Sequence, residues 1–580
     1  MQNNAEQGSV REVELRSTVE IHLPDGRVLE GPRGMPVEIF LRVIPEWRET
    51  PIVGAIINHE LRELTYPVDM DARVKPVSMN DVDGARIYRR SITFLLEAAF
   101  DDIFPDIKLS VDHSVASGGF FCEVIDHEPL SRDDLTRLEE RMRELVEANL
   151  PFERQEVPLQ EAINWFRETD CMDKVHLLKF RQKDYLVLYR LGKHRDYHHG
   201  YMVPSTGYLK WFALSPMGEG FVLRYPRRKD SRELVPILES PALLKTFRQY
   251  GGWLARLGID STGALDEAIQ GGRISELILM SEALHEQKIA EIASQIAYHK
   301  GQIRVVLIAG PSSSGKTTFS KRLAVQLLAN GIEPLAVELD NYFVDREKTP
   351  KDEKGQYDFE ALGALNTERL NADLLKLIAG EPVQMPFYNF KTGISEAGEV
   401  VQIKKDQLMI LEGIHGLNPK LVPQIPQEYT YRVYASCLTQ LNLDRHNRIS
   451  TTDTRLLRRI VRDARERGYT AQQTIRQWES VRRGEKLHIF PFQDYANDMF
   501  NSALVYEMAA LKISAEPLLR QVPFGTPEHI EAKRLLALLE WFLPVPENLI
   551  PDNSILREFV GGSILKNFKL WKNDIDRNSR

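Results

Sequence analysis

Cysteine is scarce in this sequence, and its scarcity excludes two classes of structure. The 580 residues include three cysteines, Cys122, Cys171 and Cys437, which lie far apart and form no C-x-x-C pair. This pattern excludes a disulfide framework and a cysteine-based zinc ribbon. It favours a reduced, cytoplasmic compartment.

Long apolar runs and an excess of positive charge are also missing. No run approaches the ~20 apolar residues that cross a bilayer, and the polar first residues lack the apolar core of a signal peptide. We therefore expect no membrane association. The net charge of −8, from 75 basic and 83 acidic residues, argues against a general affinity for nucleic acid but allows a local basic patch.

Changes in hydrophobic pattern along the chain predict several domains. Alternating strands come first, then a mixture of helices and strands in which Ser131 is a predicted N-cap, and then helices. The predicted segments are 1–16, a flexible N-terminus; 17–78, a small β-grasp sheet with one helix; 79–228, an α+β domain; 229–300, a helical connector; 301–522, an α/β domain; and 523–580, a helical tail.

The segment 301–522 alternates apolar strands with amphipathic helices. IRVVLIA is a continuous apolar strand, as expected where both faces of a sheet are covered. TTFSKRLAVQLLAN follows as a helix that stops at Gly331. PLAVEL, QLMILEG and YTYRVYAS are further strands. The alternation predicts an α/β fold with a parallel sheet.

Residues 310–317, GPSSSGKT, join the first strand of this segment to its helix. They fit the pattern G-x-x-x-x-G-K-[ST], in which backbone N–H groups surround phosphate oxygens, the lysine reaches the β and γ phosphates, and the threonine hydroxyl binds Mg²⁺. The helix start adds its positive dipole end. The predicted triphosphate-binding residues are Gly310, Ser312, Ser313, Ser314, Gly315, Lys316, Thr317 and Thr318.

Two acids follow strands of the predicted sheet. Asp340, in LDNYF, follows the predicted strand PLAVEL. Glu412, in LEGIHG, follows the apolar stretch QLMIL of the next predicted strand. Ligands of open parallel sheets bind at the carboxyl ends of the strands. One acid there suits an acceptor hydroxyl and the other suits Mg²⁺ or its water shell. The alternatives, a helix N-cap or a solvated loop acid, stay open on spacing alone.

The run TRLLRRIVRDARERG concentrates arginines in one helix and the loop after it. Arg455, Arg459 and Arg462 share a helical face, and Arg467 precedes Gly468, which breaks the helix. A solvated charged face is one interpretation. The other is a mobile lid whose guanidinium groups neutralise a transferring phosphoryl group and exclude water.

Taken together, these motifs resemble the uridine kinase/phosphoribulokinase family of P-loop kinases over residues 303–520. The resemblance rests on GPSSSGKTT, LDNYF, YDFEALGALN, MPFYNF, ILEGIHG, RRIVRDARERG and FPFQDYAND, in that order. It implies ATP and Mg²⁺ as cofactors and a nucleoside 5′-hydroxyl as the phosphate acceptor.

The resemblance also implies a role for each matching position. The implied catalytic residues are Asp340, which activates the acceptor hydroxyl, with Lys316 and Arg462. The implied Mg²⁺ residues are Thr317 and Glu412, partly through water. The implied substrate contacts are Glu360 for the ribose, Tyr388 beside the base, and Arg459 and Gln477. The resemblance also implies that Arg467 lies with Arg462 near the phosphates.

Two positions depart from the uridine–cytidine kinase pattern. A histidine that contacts the pyrimidine is replaced by Gly393, and an arginine after the RG of the lid is replaced by Tyr469. The acceptor therefore stays open between a uridine-like nucleoside, a purine nucleoside and another small alcohol or sugar phosphate.

The front half resembles two modules of threonyl-tRNA synthetases. Residues 17–78 resemble the TGS domain, and 79–228 resemble the second additional domain, which edits mischarged tRNA. The second resemblance is carried by GARIYRRSITFLLEAAF, NLPFERQEVPLQEAINWF and VPSTGYLKWFAL. Fusions of such modules to a uridine-kinase-like domain form a bacterial family described in general terms as nucleoside kinases.

The editing site of those synthetases can be compared position by position. The positions of its metal-binding motif correspond to Arg90, Phe94, His198 and Met202 in this sequence. Of these four residues, all but His198 cannot ligate zinc in the usual way. We therefore expect the editing chemistry to be lost and no zinc site. For the front half, three roles stay open: recognition of RNA, recognition of a small regulatory ligand, and a docking and regulatory module.

Two functions compete at this point. One is an ATP- and Mg²⁺-dependent nucleoside kinase, and the other is a nucleotide-sensing, RNA-associated regulator. The acceptor-side acid Asp340 favours the enzyme, because a sensor has no need of it. The helical tail makes a homo-oligomer plausible.

Overall fold

The computed structural model describes residue 14 and residues 16–568, apart from 116, 117, 229–231, 238, 239, 352–354, 356, 390, 405 and 440. Most of the predicted flexible N-terminus, and residues 569–580 of the predicted tail, therefore lie outside the described residues. The chain divides into two compact units. The first comprises Met1–Leu109, Gly118–Glu156 and Val187–Pro236, and the second comprises Ser110–Ser117, Val157–Leu186 and Ile237–Arg580.

The first unit opens with a mixed five-stranded sheet in the order β2-β1-β7-β4-β5, in which β1 and β7 are parallel. Its elements are β1 Thr18–His22, β2 Val28–Pro32, β3 Met35–Pro36, α1 Val37–Leu41, α2 Glu46–Glu49, β4 Ile52–Ile57, β5 Glu60–Arg62, β6 Pro67–Val68 and β7 Ala72–Ser78. Alternate residues of β1 and β7 join Phe40 and Leu41 of α1 in one core. That this sheet is a TGS module stays a prediction.

The remainder of the first unit is built on two helices, α3 Val82–Ile103 and α4 Arg132–Glu147. Ser131 caps α4 as predicted, because its hydroxyl accepts a hydrogen bond from the N–H of Asp134. The strands are β8 Lys108–Ser114, β9 Phe120–Ile125, β10 Glu153–Pro158, β11 Tyr185–Leu191, β12 His194–Asp196, β13 Ala213–Met217 and β14 Gly220–Arg224. Strands β8, β10 and β11 have residues on both sides of the division into units.

One predicted strand of this region is largely wrong. GYLKWFALS begins in a 3-10 turn, Thr206–Tyr208, and joins a strand only at Ala213. The cause is tertiary: the N–H of Thr206 donates to the carbonyl of Leu150, and its hydroxyl donates to the carbonyl of Leu145. Contacts with distant residues thus override the local β-propensity of the aromatic residues.

The second unit begins with helices and continues as the predicted α/β domain. The helices before the sheet are α5 Leu159–Glu168, α6 Met172–Leu178, α7 Pro241–Leu257, α8 Thr262–Gln270 and α9 Ile274–Tyr298. The elements that follow are β15 Val305–Ala309, α10 Lys316–Ala329, β16 Pro334–Glu338, α11 Thr367–Ile378, β17 Val383–Asn389, β18 Ile394–Val401, β19 Leu408–Glu412, β20 Thr430–Ser436, α12 Thr451–Glu466, α13 Ala471–His488, β21 Asp498–Asn501, α14 Glu507–Arg520, α15 Pro527–Leu539 and α16 Arg557–Val560.

The central sheet of the second unit is entirely parallel, in the order β16-β19-β15-β20-β21. Strand β15 lies in the middle and every one of its residues is buried, which agrees with its continuous apolar run. The carboxyl ends of β16 and β19 therefore lie at the same edge of the sheet as the loop that follows β15.

No helix in the described part of the chain is long and apolar enough to cross a membrane.

Candidate active site

The loop after β15 adopts the backbone expected of a phosphate cradle. Ser313 and Gly315 have positive φ angles of 58° and 82°, which turn successive peptide groups before α10 begins at Lys316. A Cβ atom on Gly310 would lie 1.8 Å from the carbonyl oxygen of Ala435 on β20, so only glycine fits there. Within the described residues, the buried hydroxyl oxygens of Ser313 and Ser314 have no hydrogen-bond partner. These two hydroxyl groups and the turned backbone fit a chain of phosphates.

A buried ion pair holds this loop at Ser312. The Glu485 carboxylate accepts a hydrogen bond from the N–H of Ser312 at 3.0 Å. The Arg455 guanidinium donates a hydrogen bond to the carbonyl oxygen of Ser312 at 2.9 Å. Arg455 and Glu485 also pair with each other, and both are buried. The pair therefore fixes both the backbone N–H and the backbone carbonyl of Ser312. Sequence reasoning placed Arg455 on the lid and missed Glu485, which lies 30 residues away on α13.

A second buried arginine, also missed, supports the next residue of the loop. Arg458 is fully buried and donates to the carbonyl oxygens of Ser313 at 3.4 Å and of Ser502 at 2.8 Å. Its charge is paired with the Glu507 carboxylate on α14. The motif RRIVRDARERG contains this residue, but the sequence pattern gives no sign that it points inward.

Removal of Glu485 should destabilise the protein, because it would leave the Arg455 guanidinium buried without its counter-ion. We expect Glu485→Ala to lower the free energy of unfolding by about 3–5 kcal/mol. Unfolding in urea measures the change. As a control, Glu516→Ala removes the partner of Arg520, whose side chain is 65% exposed, and should cost less than about 1 kcal/mol. Equal effects of the two substitutions would contradict the account of the loop.

The Lys316 ammonium acts electrostatically on three predicted acids. The ends of β16 and β19 are in register, with Glu338 opposite Glu412, and Asp340 follows in a 3-10 turn. Burial raises the pKa of Asp340, Glu360 and Glu412, while the Lys316 ammonium lowers the pKa of each. Asp340 is exposed to solvent.

Thr317 and Glu412, the predicted Mg²⁺ residues, are in direct contact. The Thr317 hydroxyl donates to Oε2 of Glu412 at 3.0 Å, and Thr317 is exposed. A hydroxyl beside a carboxylate offers the oxygen ligands that Mg²⁺ prefers. The Lys316 ammonium lies nearby, where it donates to the carbonyl of Pro311 at 3.2 Å. The residues present therefore fit a magnesium ion.

The predicted lid arginines gather around one buried acid that sequence reasoning missed. Asp463 pairs with Arg459 at 3.2 Å, with Arg462 at 2.9 Å and with Arg467 at 3.5 Å. The side chain of Arg467 is half-exposed. The Arg459 guanidinium also reaches the loop, donating to the Ser312 hydroxyl at 2.7 Å. Asp463 thus gathers three arginines, of which Arg459 contacts the phosphate loop.

The remaining predicted substrate residues are more scattered. Tyr388, on β17, has its ring buried 5.5 Å from the ring of Phe343, so the structure does not present it at the surface. Gln477 lies exposed on α13. Thr318, in the first turn of α10, donates both its N–H and its hydroxyl to the Glu558 carboxylate. The prediction that Tyr388 and Gln477 contact the acceptor stays untested.

The first unit contains a cluster of acids and histidines beside Phe94. The side chains of Glu97, His194 and Asp196 offer ligand atoms within 4.8 Å of one another. Oε2 of Glu97 also lies 3.0 Å from Nε2 of His198. The cluster includes His198 from the compared editing positions, while Phe94 packs its ring edge against both histidines.

Two carboxylates lie beside the ring nitrogens of His194, that of Asp101 at 2.6 Å from Nδ1 and that of Glu97 at 3.4 Å from Nε2. They raise the pKa of His194 to about 10 against the lowering effect of burial. Because Arg90, Phe94 and Met202 stand at three of the compared editing positions, we still predict no zinc. Elemental analysis of the purified chain should find far less than one zinc ion per chain. One equivalent that is lost in His194→Ala would contradict this prediction.

The central parallel sheet and the phosphate loop give the second unit the fold of a P-loop kinase. Comparison with known proteins agrees, because residues 305–506 match the Phosphoribulokinase / Uridine kinase family. The C-terminal region of this chain is thus a domain of that family.

The N-terminal half matches threonyl-tRNA synthetases. The chain is 32% identical to the threonine–tRNA ligase of Syntrophotalea carbinolica over 207 residues, which are 35% of this chain and 32% of the relative. It is 33% identical to that of Bacillus velezensis over 202 residues, 34% of this chain and 31% of the relative. The chain thus spans about a third of the length of these curated relatives.

Two solved kinase structures are also similar to parts of this chain. A possible uridine kinase from Bacillus stearothermophilus is 25% identical with a TM-score of 0.22, covering 26% of this chain and 79% of that one. D-glycerate 3-kinase from Cryptococcus neoformans is 16% identical with a TM-score of 0.25, covering 36% of this chain and 89% of that one.

Proposed function

We propose that this protein transfers the γ-phosphoryl group of ATP to the 5′-hydroxyl of a nucleoside. The observation that carries the proposal is the solvent-open carboxylate of Asp340 just beyond the carboxyl end of β16, on which the Lys316 ammonium of the phosphate loop acts. A nucleotide sensor needs the lysine and the loop. A sensor does not need the solvent-open carboxylate of Asp340 in addition to Glu412.

Each residue then has a defined task in the transfer. The turned backbone of residues 310–315 and the Lys316 ammonium hold the phosphates, and Thr317 and Glu412 hold Mg²⁺. When bound, Mg²⁺ neutralises charge on the β and γ phosphates. Arg462 and Arg467 close over the transferring group and exclude water.

The acceptor side is organised by Asp340. Its carboxylate orients the hydroxyl so that the hydroxyl oxygen forms a bond to the γ phosphorus while the bond from phosphorus to the bridging oxygen of ADP breaks. The hydroxyl proton passes to Asp340, and ADP leaves. If the transition state is loose, position matters more than basicity. Glu360, near Arg459 and Lys316, is proposed to bind the ribose hydroxyls.

One observation favours a second acceptor class. Gly393 closes the turn between β17 and β18, and a Cβ atom there would lie 2.9 Å from the guanidinium carbon of Arg346. The Arg346 side chain therefore packs against Gly393, the position that corresponds to the pyrimidine-contacting histidine. A guanidinium group suits an anionic acceptor, so a sugar phosphate is the second candidate.

A panel of acceptors distinguishes the two candidates. ADP production by the full chain is measured with ATP and Mg²⁺ in the presence of each nucleoside and of each sugar phosphate. Turnover with a nucleoside supports the first proposal, and turnover with sugar phosphates alone supports the second. ATP binding without turnover on any acceptor would favour a nucleotide-sensing regulator.

For the first unit, we propose recognition of RNA or of a regulatory ligand. The support is its match to threonyl-tRNA synthetases, together with the replacement of editing positions by Arg90, Phe94 and Met202. Binding of a labelled tRNA by the full chain tests the RNA proposal at several salt concentrations, because phosphate contacts weaken as salt rises.

A further inference from the structure

The C-terminal segment, residues 550–568, contacts the phosphate loop of its own unit. The backbone N–H of Thr318 donates to Oε2 of Glu558 at 3.1 Å, and the Thr318 hydroxyl donates to the same oxygen at 2.9 Å. A Cβ atom on Gly315 would lie 2.5 Å from Cγ2 of Ile555. The segment therefore touches both the turn of the loop and the first turn of α10.

The donors that Glu558 occupies belong to the predicted phosphate cradle. Thr318 is the third residue of α10, and the first four N–H groups of a helix have no acceptor within the helix. In a phosphate loop these N–H groups bind the anionic ligand. The Glu558 carboxylate thus places one anionic oxygen where a phosphate oxygen of a bound nucleotide would accept hydrogen bonds.

Contacts outside the cradle hold the C-terminal segment in place. The Arg557 guanidinium donates to the carbonyls of Glu547 at 3.0 Å and Ile550 at 2.5 Å. The ammonium of Lys321, on α10, donates to the carbonyl of Leu565 at 2.8 Å. The apolar residues that anchor the segment, all buried, are Ile555, Leu556 and Phe559. The segment is therefore docked by its own packing, with the Glu558 side chain aimed at the loop.

We propose that Glu558 is an autoinhibitory group that occupies a phosphate subsite of the loop and must leave Thr318 before a nucleotide binds fully. The N–H and the hydroxyl of Thr318 cannot serve a carboxylate and a phosphate at once. The C-terminal segment therefore lowers the affinity of the site for nucleotides. This inference rests on the proposed nucleotide site.

Calorimetric titration of the full chain with ADP tests the proposal. Glu558→Ala frees the Thr318 donors and should lower the Kd for ADP about tenfold. Glu558→Asp keeps the charge but withdraws the carboxylate by one methylene, and should lower the Kd about threefold. Asp552→Asn removes an exposed negative charge of the same segment and should leave the Kd within about twofold.

The possible outcomes separate this inference from the proposed function. If wild type and Glu558→Ala bind ADP with the same Kd, or if the variant binds more weakly, autoinhibition is overturned while the nucleotide site stands. If Glu558→Ala and Asp552→Asn gain affinity for ADP equally while Glu558→Asp gains none, the effect is one of net charge alone. That result would also overturn autoinhibition. If no form binds ADP although all melt cooperatively, the proposed function itself fails.

Discussion

Lys316→Ala is expected to lower kcat by about 10³-fold while the protein stays folded. The ammonium group lowers the pKa of Asp340, Glu360 and Glu412 alike, and it donates a hydrogen bond to the phosphate loop. Without it, the developing charge on the β and γ phosphates loses its nearest fixed counter-charge. Turnover of ATP with the best acceptor of the panel measures the loss.

The control for this prediction is Lys376→Ala, which removes an exposed lysine from α11. Its kcat should stay within about twofold of wild type, because an exposed charge away from the site is largely screened. Circular dichroism should show both variants folded. Activity retained in folded Lys316→Ala would remove the phosphate loop from the mechanism.

Asp340→Asn is expected to lower kcat by about 10²–10⁴-fold, the range of a positioned acid–base group. An asparagine keeps the size of the side chain but cannot accept the hydroxyl proton. Glu347→Gln is the matched control, since Glu347 is an exposed acid a few residues further along the same connection. That control should retain nearly full activity. Similar losses in both variants would point to the loop's fold rather than to the carboxylate.

The pH dependence of the wild type gives a second test of Asp340. Burial raises the pKa of its carboxyl above the ordinary value of an aspartate, about 3.9. Only the ionised form accepts a proton, so activity should fall as the pH drops through this raised pKa. The acid limb of kcat/KM should therefore lie above that of an ordinary aspartate. An acid limb at or below the ordinary value would contradict the assignment.

The sequence was enough to predict the parts of the site that follow from strand order. Asp340 and Glu412 each follow an apolar run, and the carboxyl ends of parallel strands must meet at one edge. The phosphate loop combines a pattern with its required context, a buried strand before it and a helix after it. These features depend on neighbours within a few residues, which a single sequence displays.

The supporting contacts depend on tertiary structure and were not predictable. Glu485 and Asp463 look like ordinary helix acids, and only folding shows that one holds Ser312 while the other gathers three arginines. Glu558 lies 240 residues from Thr318. The hairpin β17–β18 was missed because β17 is interrupted by Pro386 and β18 is largely exposed, and neither strand shows a regular alternation of apolar residues.

Analysis of the product tests the central claim most directly. The full chain is incubated with γ-labelled ATP, Mg²⁺ and each nucleoside, and the labelled product is identified by mass and by the position of its phosphate. We predict that wild type forms a nucleoside 5′-phosphate and that Asp340→Asn forms it about 10²–10⁴-fold more slowly. ATP binding by wild type without transfer of the label to any nucleoside would contradict the account.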